Sequence, residues 1–96
     1  MVDIDKIATF VRAAEVLSFS EAGKQLHVSQ PTVSHHIKTL EQEMGVTLFT
    51  RTNTGLEITE AGKVLMPWAR RLLHDTNNMQ AMMASLQDDI VGELRI

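Results

Sequence analysis

One stretch of sequence, SFSEAGKQLHVSQPTVSHHIKTLEQEMGVTLFTRTNTGLEITEAG at residues 18–62, decides the fold. It holds a short helix signal at 18–27, a tight turn at 28–29 and a second helix that opens at Gln30. A strand-like run, a turn and the approach to a further helix follow at 48–59. This order is typical of a helix-turn-helix followed by a two-stranded wing, a shape that fits the major groove of DNA.

Length and composition limit the classes of protein to which the chain can belong. At 96 residues it is one small domain, and without cysteine it has neither a disulfide framework nor a thiolate metal site. Its N-terminal residues do not show the basic-then-apolar pattern of a secretory signal, and it has no apolar run of the roughly 20 residues that a membrane span requires. We therefore expect a cytoplasmic protein that has no membrane partner.

The charge balance argues weakly against nucleic acid, because nine Lys and Arg residues stand against twelve Asp and Glu residues. The positions of the acidic residues soften this objection. Six of them lie in the terminal segments, away from the predicted reading surface. These six are Asp3, Asp5, Asp75, Asp88, Asp89 and Glu93.

The first two helices have start signals at defined residues. Apolar residues at helical spacing predict an amphipathic first helix with Asp3 as its cap. The second helix can start from Ser18, with Glu21 three residues on in the capping-box arrangement, and Ser20 is the competing cap. Gly23 in so short a helix costs about 1 kcal/mol relative to Ala, which indicates that another backbone, that of the third helix, packs closely there.

The third helix has the most sharply defined start. The Ser29 hydroxyl can cap it, and Pro31 sits in the first turn, where its missing N–H does no harm. Four apolar residues at intervals of four, three and four form a core-facing stripe, and Gly45 ends the helix. The opposite face and the exposed N-terminal end carry Gln30, Pro31, Thr32, Ser34, His35, Lys38 and Gln42.

The chemistry of this face suits duplex DNA. Gln bonds adenine bidentately, Ser and Thr serve either base, and His and Lys donate to guanine or phosphate, which a helix N-terminus also favours. A polar face with one lysine is, however, common on any surface helix. The constellation of a short capped helix, a turn, a helix opened by proline and a wing outweighs that objection and predicts binding to double-stranded DNA.

Three motifs stand in a fixed order through this region: Ser29-Gln30-Pro31, Leu48-Phe49-Thr50-Arg51 and Thr59-Glu60-Ala61-Gly62. With the sequence around them, they resemble the N-terminal region of LysR-type transcriptional regulators. The resemblance covers nearly the whole chain. It implies a mainly α fold, in which a winged helix-turn-helix of three helices and a two-stranded wing is followed by a long linker helix.

The resemblance also divides the chain into three parts. It implies a winged helix-turn-helix DNA-binding domain over 1–58 and a linker (dimerisation) helix over 59–89. Residues 90–96 would begin the hinge to an effector-binding domain that lies outside this sequence. In such regulators a small-molecule inducer binds the effector domain, so we expect no cofactor in the present region.

For the DNA contacts, the resemblance implies that the third helix enters the major groove. The positions that the family uses for contacts are Gln30, Pro31, Ser34 and Lys38. At the position of His35 the family commonly has arginine, and at the wing tip, here Asn53 and Thr54, it often has one that reaches toward the minor groove. Glu57 also stands where a basic residue is frequent, so this chain departs from the pattern at three places.

Arg51 keeps the family pattern and has two interpretations. It is either a DNA ligand or the partner of an acid such as Glu41 or Glu43 in a structural ion pair. The sequence does not favour one over the other.

From Thr59 onward the pattern predicts a long helix with a seam of coiled-coil type. A helix that runs to about Asp88 is some 40 Å long and extends well beyond so small a domain. A second subunit is therefore the natural cover for its apolar seam. The resemblance implies a homodimer through this helix on an interrupted inverted repeat, with tetramers left open. The predicted dimerisation residues are Leu65, Trp68, Leu72, Met79, Met82, Met83 and Leu86.

Neither a metal site nor catalysis is expected. His35 and His36 project about 100 degrees apart on a helix, and no pair of histidines is spaced i, i+4. A Ser34 nucleophile with His35 as base would need a third group and a pocket, of which the sequence gives no sign. The serious alternative to DNA binding is a protein-interaction module, in which the same fold and seam mediate assembly while the acidic balance keeps the chain off DNA.

Overall fold

The computed structural model describes the backbone of residues 2–94 and the side chains of residues 2–88. Three helices, a two-stranded sheet and a long fourth helix follow one another along the chain. Their bounds are α1 (Ile4–Val16), α2 (Phe19–Leu26), α3 (Gln30–Met44), β1 (Phe49–Thr52), β2 (Gly55–Ile58) and α4 (Glu60–Leu94). This order confirms the predicted mainly helical winged helix-turn-helix with a long helix after the wing.

Ser18, and not the alternative Ser20, caps the start of α2. Its hydroxyl accepts the backbone N–H of Glu21 at 3.1 Å. The reciprocal half of the capping box is replaced by another bond, because the Glu21 carboxylate accepts from the side-chain amide of Gln25 at 3.3 Å. The sequence therefore predicted the helix start correctly and one of its two capping bonds wrongly.

The other termini of α1, α2 and α3 follow the usual rules of helix capping. Asp3 caps α1 and Ser29 caps α3, both as predicted. All three helices end in the left-handed region, at Leu17 (φ 51°), His27 (φ 59°) and Gly45 (φ 70°). Because a left-handed residue turns the chain sharply at a helix C-terminus, short connections suffice to fold the three helices against one another.

Gly23 lies where α2 meets the turn into α3. A Cβ built on this residue would lie 2.8 Å from the carbonyl oxygen of Val28 and 3.5 Å from the backbone nitrogen of Gln30. Real Cβ atoms do not approach a backbone oxygen this closely, so the turn and the first residue of α3 can pack here only because the side chain is absent. The predicted close approach of another backbone is confirmed, but the closest atom belongs to Val28 in the turn, and the first nitrogen of α3 lies at ordinary contact distance.

We expect Gly23→Ala to destabilise the fold by about 1–3 kcal/mol, because the turn backbone has to shift, and this outweighs the better helix propensity of Ala. The free energy of unfolding by urea, followed by circular dichroism, checks this. Lys24→Ala, at the neighbouring exposed position, is the matched control and should be nearly neutral. Equal or higher stability of Gly23→Ala would contradict the packing described.

The core lies where α1, α3 and the wing meet. Its largest fully buried side chains are Phe10, Ile7, Leu40, Leu48 and Val33. Phe49 of β1 packs against Phe10 and Phe19, with ring centroids 5.6 Å apart in both pairs. Aromatic pairs at such separations contribute about 0.5–1.5 kcal/mol each beyond the burial of area, so this cluster ties the wing to α1 and α2.

The wing is a single antiparallel pair whose register fixes the faces of its side chains. Phe49 stands opposite Ile58, and Arg51 stands opposite Leu56. Because side chains alternate along a strand, these four share the face turned toward the helices. Glu57 lies on the other face, away from Arg51.

The helix α4 begins at the predicted cap, since the Thr59 hydroxyl accepts the N–H of Gly62 at 3.1 Å. Its 35 residues make it about 52 Å long, and the molecule measures 65 × 25 × 20 Å. It is helical through Leu94, past the expected end near Asp88 and the expected start of a hinge at 90. A lone Gly92 costs a helix only about 1 kcal/mol and no proline follows Pro67, so nothing local stops it earlier.

The segment 90–96, expected to begin the hinge to the effector domain, is thus helical over its described part. Arg95 and Ile96 lie outside the described residues. The division of the chain at residues 58 and 89 stays a prediction.

Candidate nucleic-acid interface

The helix α3 presents a polar face beside the wing. Val33, Ile37 and Leu40 are buried and fix the helix on the core. The opposite face is therefore turned outward. Of the predicted DNA contacts on this helix, those exposed are Gln30, Pro31, His35 and Lys38, and those half-buried are Thr32 and Ser34.

The N-terminal end of α3 is tightly organised by its cap. The Ser29 hydroxyl accepts the backbone N–H of Thr32 at 3.2 Å and forms a hydrogen bond with the Thr32 hydroxyl at 2.8 Å. Thr32 therefore takes part in fixing the start of the helix. Any contact that its hydroxyl makes to DNA has to share that oxygen or its proton with the cap.

The orientation of α3 about its axis is set by a contact with α1. The Nδ1 atom of His36 lies 2.9 Å from the hydroxyl of Thr9, which in turn donates to the carbonyl oxygen of Asp5 at 3.0 Å. Because the single hydroxyl proton is used on Asp5, His36 acts as the donor in this pair. His36 is thus a structural residue that holds α3 to α1, whereas its neighbour His35 is exposed.

The charges near this face differ from the overall balance of the chain. Residues 30–40 contain no acidic side chain, and the first carboxylate on α3 is that of Glu41. Among the described residues, the ion pairs are Lys6–Asp3, Lys63–Glu60, Arg70–Glu15 and Arg71–Asp75. The cations beside α3, Lys38 and Arg51, belong to none of these pairs, so their charges are available to an anionic ligand.

Two open grooves run between α3, α2 and the wing. The first, of about 520 Å³, is lined by Leu17, Ser18, Phe19, Ser20, Gln30, Arg51, Gly55 and Leu56. The second, of about 270 Å³, is lined by Phe19, Ser34, Ile37, Lys38, Glu41, Phe49, Arg51 and Leu56. Arg51 lines both, so the structure brings it together with Gln30 on one side and with Ser34 and Lys38 on the other.

The Arg51 guanidinium lies over the ring of Phe19, with its carbon atom 5.4 Å from the ring centroid. The expected alternative, an ion pair with Glu41 or Glu43, is not found among the ion pairs of the described residues. Glu41 has other partners, because its carboxylate accepts the backbone N–H groups of Leu48 at 2.7 Å and of Phe49 at 3.4 Å. The DNA contact predicted for Arg51 stays a prediction.

Glu41 links the end of α3 to the first strand of the wing, and its removal tests that link. We expect Glu41→Ala to lower the free energy of unfolding by about 1–3 kcal/mol, because the part-buried N–H of Leu48 loses its acceptor. Glu41→Gln keeps an acceptor oxygen and should lose less. Chemical unfolding of both variants checks this order, and an unchanged stability of Glu41→Ala would contradict it.

The wing tip stands apart from these grooves. Asn53 and Thr54 are exposed in the turn between β1 and β2, and the Thr54 hydroxyl bonds that of Thr52 at 3.0 Å. Neither residue lines a groove shared with α3. Arg51 and Leu56 line both grooves and form the ridge between them. Asn53 and Thr54 extend the surface beyond this ridge.

The predicted dimerisation residues on α4 divide into two groups. Leu65 is half-buried and packs against the core, so its side chain is already largely covered. The others are exposed: Trp68 69%, Leu72 46%, Met79 58%, Met82 61%, Met83 55% and Leu86 48%. A row of large apolar side chains exposed to this degree on one helix marks an interaction surface.

A comparison with protein families decides what kind of protein this is. The model of the bacterial regulatory helix-turn-helix proteins of the lysR family matches residues 4–63, which include α1, α2, α3 and the wing. The chain belongs to the lysR family. The resemblance seen in its motifs is thereby confirmed.

Relatives of this lysR-family chain are transcriptional regulators. An HTH-type transcriptional regulator in the ibpB-leuC intergenic region of Azotobacter vinelandii is 39% identical over 94 residues, which are 98% of this chain and 65% of that protein. The HTH-type transcriptional regulator ClcR of Pseudomonas putida is 40% identical over 87 residues, 91% of this chain and 30% of ClcR. The chain thus spans under two thirds of the length of these relatives.

Solved structures of the same family have the same fold. The CbnR DBD–DNA complex is similar with a TM-score of 0.80 and 31% identity, over 86% of this chain and 95% of that chain. The BenM DBD/catB site 1 DNA complex is similar with a TM-score of 0.83 and 28% identity, over 88% of this chain and 94% of that chain. Both of those proteins are bound to DNA.

The structure describes the backbone of this lysR-family chain over residues 2–94. In that part of the chain no helix combines the length and the apolar character needed to cross a bilayer. Among residues 2–88, whose side chains the structure describes, His, Asp and Glu form no group of three or more suited to a metal ion.

The sequence of this lysR-family chain did not indicate that Phe19 and Leu56 would lie at the candidate interface. Both line the two grooves and flank Arg51. A signal for Phe19 was present, because it stands three residues before the buried Ala22 on α2 and so lies near the inward face. No local pattern indicated that its ring would meet the guanidinium of a residue on the wing.

Proposed function

We propose that this chain is the DNA-binding part of a lysR-family transcription regulator that binds double-stranded DNA with α3 in the major groove. The observation that carries this proposal is the acid-free, outward-facing first part of α3, with Lys38 and Arg51 beside it outside any described ion pair. A net charge of −3 for the chain does not oppose it, because residues 30–40 contain no acidic side chain and six of the twelve acidic residues lie in the terminal segments. The DNA complexes of CbnR and BenM, two relatives in structure, support it.

Within this proposal each predicted contact has a role. Gln30, Ser34 and Lys38 reach base edges, since amide, hydroxyl and ammonium groups match the donors and acceptors of the major groove. Pro31, Thr32 and His35 pack against or bond the sugar-phosphate backbone near the start of the helix. Arg51, Asn53 and Thr54 contact the backbone from the wing. The wing tip carries no arginine, and neither residue there is long or basic. Reading of the minor groove therefore contributes little here.

Dimerisation is the second part of the proposal. The exposed apolar row from Trp68 to Leu86 on α4 pairs with the same row of a second copy, as a coiled-coil seam does. A two-fold symmetric pair presents two copies of α3 to one face of a duplex, and its target is an interrupted inverted repeat.

The assignment of the remaining parts of the regulator rests on its membership of the lysR family. We assign residues 1–58 to the DNA-binding domain, 59–89 to the linker helix and 90–96 to the approach to an effector-binding domain. The small-molecule inducer would bind that domain, and none is assigned to the present region. The protein acts in the cytoplasm, where bacterial DNA lies.

The salt dependence of binding tests this proposal against the alternative of a protein-interaction module. A fluorescein-labelled duplex of about 30 base pairs is titrated with the chain at several salt concentrations. If a dimer contacts six to ten phosphates, affinity should fall by about 10³–10⁵ between roughly 50 and 200 mM salt. An interaction module held by the apolar seam would keep its dimer at all of these concentrations and show no anisotropy change with the duplex.

A further inference from the structure

The Phe19 ring is held rigidly from the core side. It meets Phe49 edge to face, with an interplanar angle of 89° and centroids 5.6 Å apart. Phe49 is buried and packs in turn on Phe10, which is completely buried in α1. Because Phe49 and Arg51 share one face of β1, the Arg51 side chain is directed over the same ring, at 5.4 Å from its centroid.

The Arg51 guanidinium lies beside the polar face of α3. Phe19 and Arg51 line both grooves, one of which contains Gln30 and the other Ser34 and Lys38. Arg51 is exposed, and among the described residues no carboxylate forms an ion pair with it. A guanidinium held over a ring by a cation–π contact keeps N–H donors for other partners.

On the basis of the proposed DNA binding, we propose that Phe19 is a positioning residue, whose ring holds the Arg51 guanidinium on the ridge between the two grooves so that it donates to a DNA phosphate next to α3. An exposed arginine without such support loses its rotamer freedom only when it binds, which weakens binding. The cation–π contact favours this position of the side chain before DNA arrives. Phe19 touches no DNA in this arrangement and acts through Arg51.

A double-mutant cycle on DNA affinity tests this inference. The chain and its Phe19→Leu, Arg51→Ala and doubly substituted variants are titrated into a fluorescein-labelled mixed-sequence duplex of about 30 base pairs at low salt. Phe19→Leu should weaken binding by about two- to fivefold in the wild-type background, the size expected for an exposed cation–π pair. In the Arg51→Ala background it should have no further effect.

Two matched variants separate positioning from a general loss of packing. Phe10→Leu removes a ring from the same aromatic cluster but has no contact with Arg51, so at a temperature where it is folded its affinity should equal that of the wild type. Phe19→Tyr keeps the ring and should keep the affinity. If Phe19→Leu proves unfolded by circular dichroism, Phe19→Met, whose longer and more flexible side chain adapts to an irregular gap, takes its place in the cycle.

The salt dependence adds a readout that packing alone would not change. Loss of one phosphate contact in Arg51→Ala should reduce the slope of log affinity against log salt by about 0.9, and Phe19→Leu should move the slope in the same direction. Equal weakening by Phe19→Leu in both backgrounds, or none, would overturn the positioning role. A wild-type chain that shows no salt-dependent binding at all would instead overturn the proposed function.

Discussion

Replacing Leu72 and Met79 together by glutamate should convert the proposed dimer to a monomer and weaken DNA binding by about 10²–10⁴-fold. Both side chains are exposed on α4, seven residues apart, in the row that we assign to the partner helix. A carboxylate buried without a partner in such a seam costs several kcal/mol. The loss of DNA affinity follows because two linked reading heads become two independent ones.

Sedimentation equilibrium and duplex titration measure the two effects separately. The matched control is Asn77→Glu with Ala84→Glu, which adds the same two charges at the same spacing on the opposite side of α4. Glutamate is a good helix former, so the helix itself should persist in both variants. A seam variant that stays dimeric, or a control that dissociates as readily, would show that this face is not the dimer interface.

Removing the side chains of Gln30 and Lys38 together should abolish sequence-specific binding and leave the dimer intact. Both residues are exposed on α3, so their replacement by alanine should change folding little. A good contact to a base edge is worth about 1–3 kcal/mol of discrimination, so two of them amount to a loss of roughly 30-fold or more. Duplex titration with a preferred and a scrambled sequence gives this discrimination directly.

The matched control for this pair removes the same two residue types far from α3. Lys63→Ala with Gln80→Ala takes one lysine and one glutamine from exposed positions of α4 and should keep the discrimination. The oligomeric state of both variants is measured in parallel. If the α3 variant loses dimerisation and keeps its preference for sequence, then the polar face of α3 has been misassigned.

Local rules were sufficient for most of the fold. Helix caps at Asp3 and Ser29, the close approach at Gly23 and the core stripe of α3 each depend on residues within a few positions of one another. Such signals are readable from a sequence because backbone hydrogen bonding and side-chain periodicity are local. The choice between Ser18 and Ser20 was harder, since both stand where a cap is chemically reasonable.

Contacts between distant segments were not predictable in the same way. The stack of Arg51 on Phe19 depends on how the wing docks against α2, and the bond from His36 to Thr9 depends on how α3 crosses α1. Composition indicated charge partners for Arg51 among acids close in sequence, whereas Glu41 is used by the backbone of the wing instead. Tertiary geometry decided these pairings.

Selection from a random pool tests the central claim, that α3 reads duplex DNA from a symmetric dimer, more directly than any single variant. The chain is incubated with random duplexes at moderate salt, and the retained DNA is sequenced. We predict enrichment of an inverted repeat whose half-sites lie about one helical turn apart. A dimeric chain that enriches no sequence from the pool would contradict the claim.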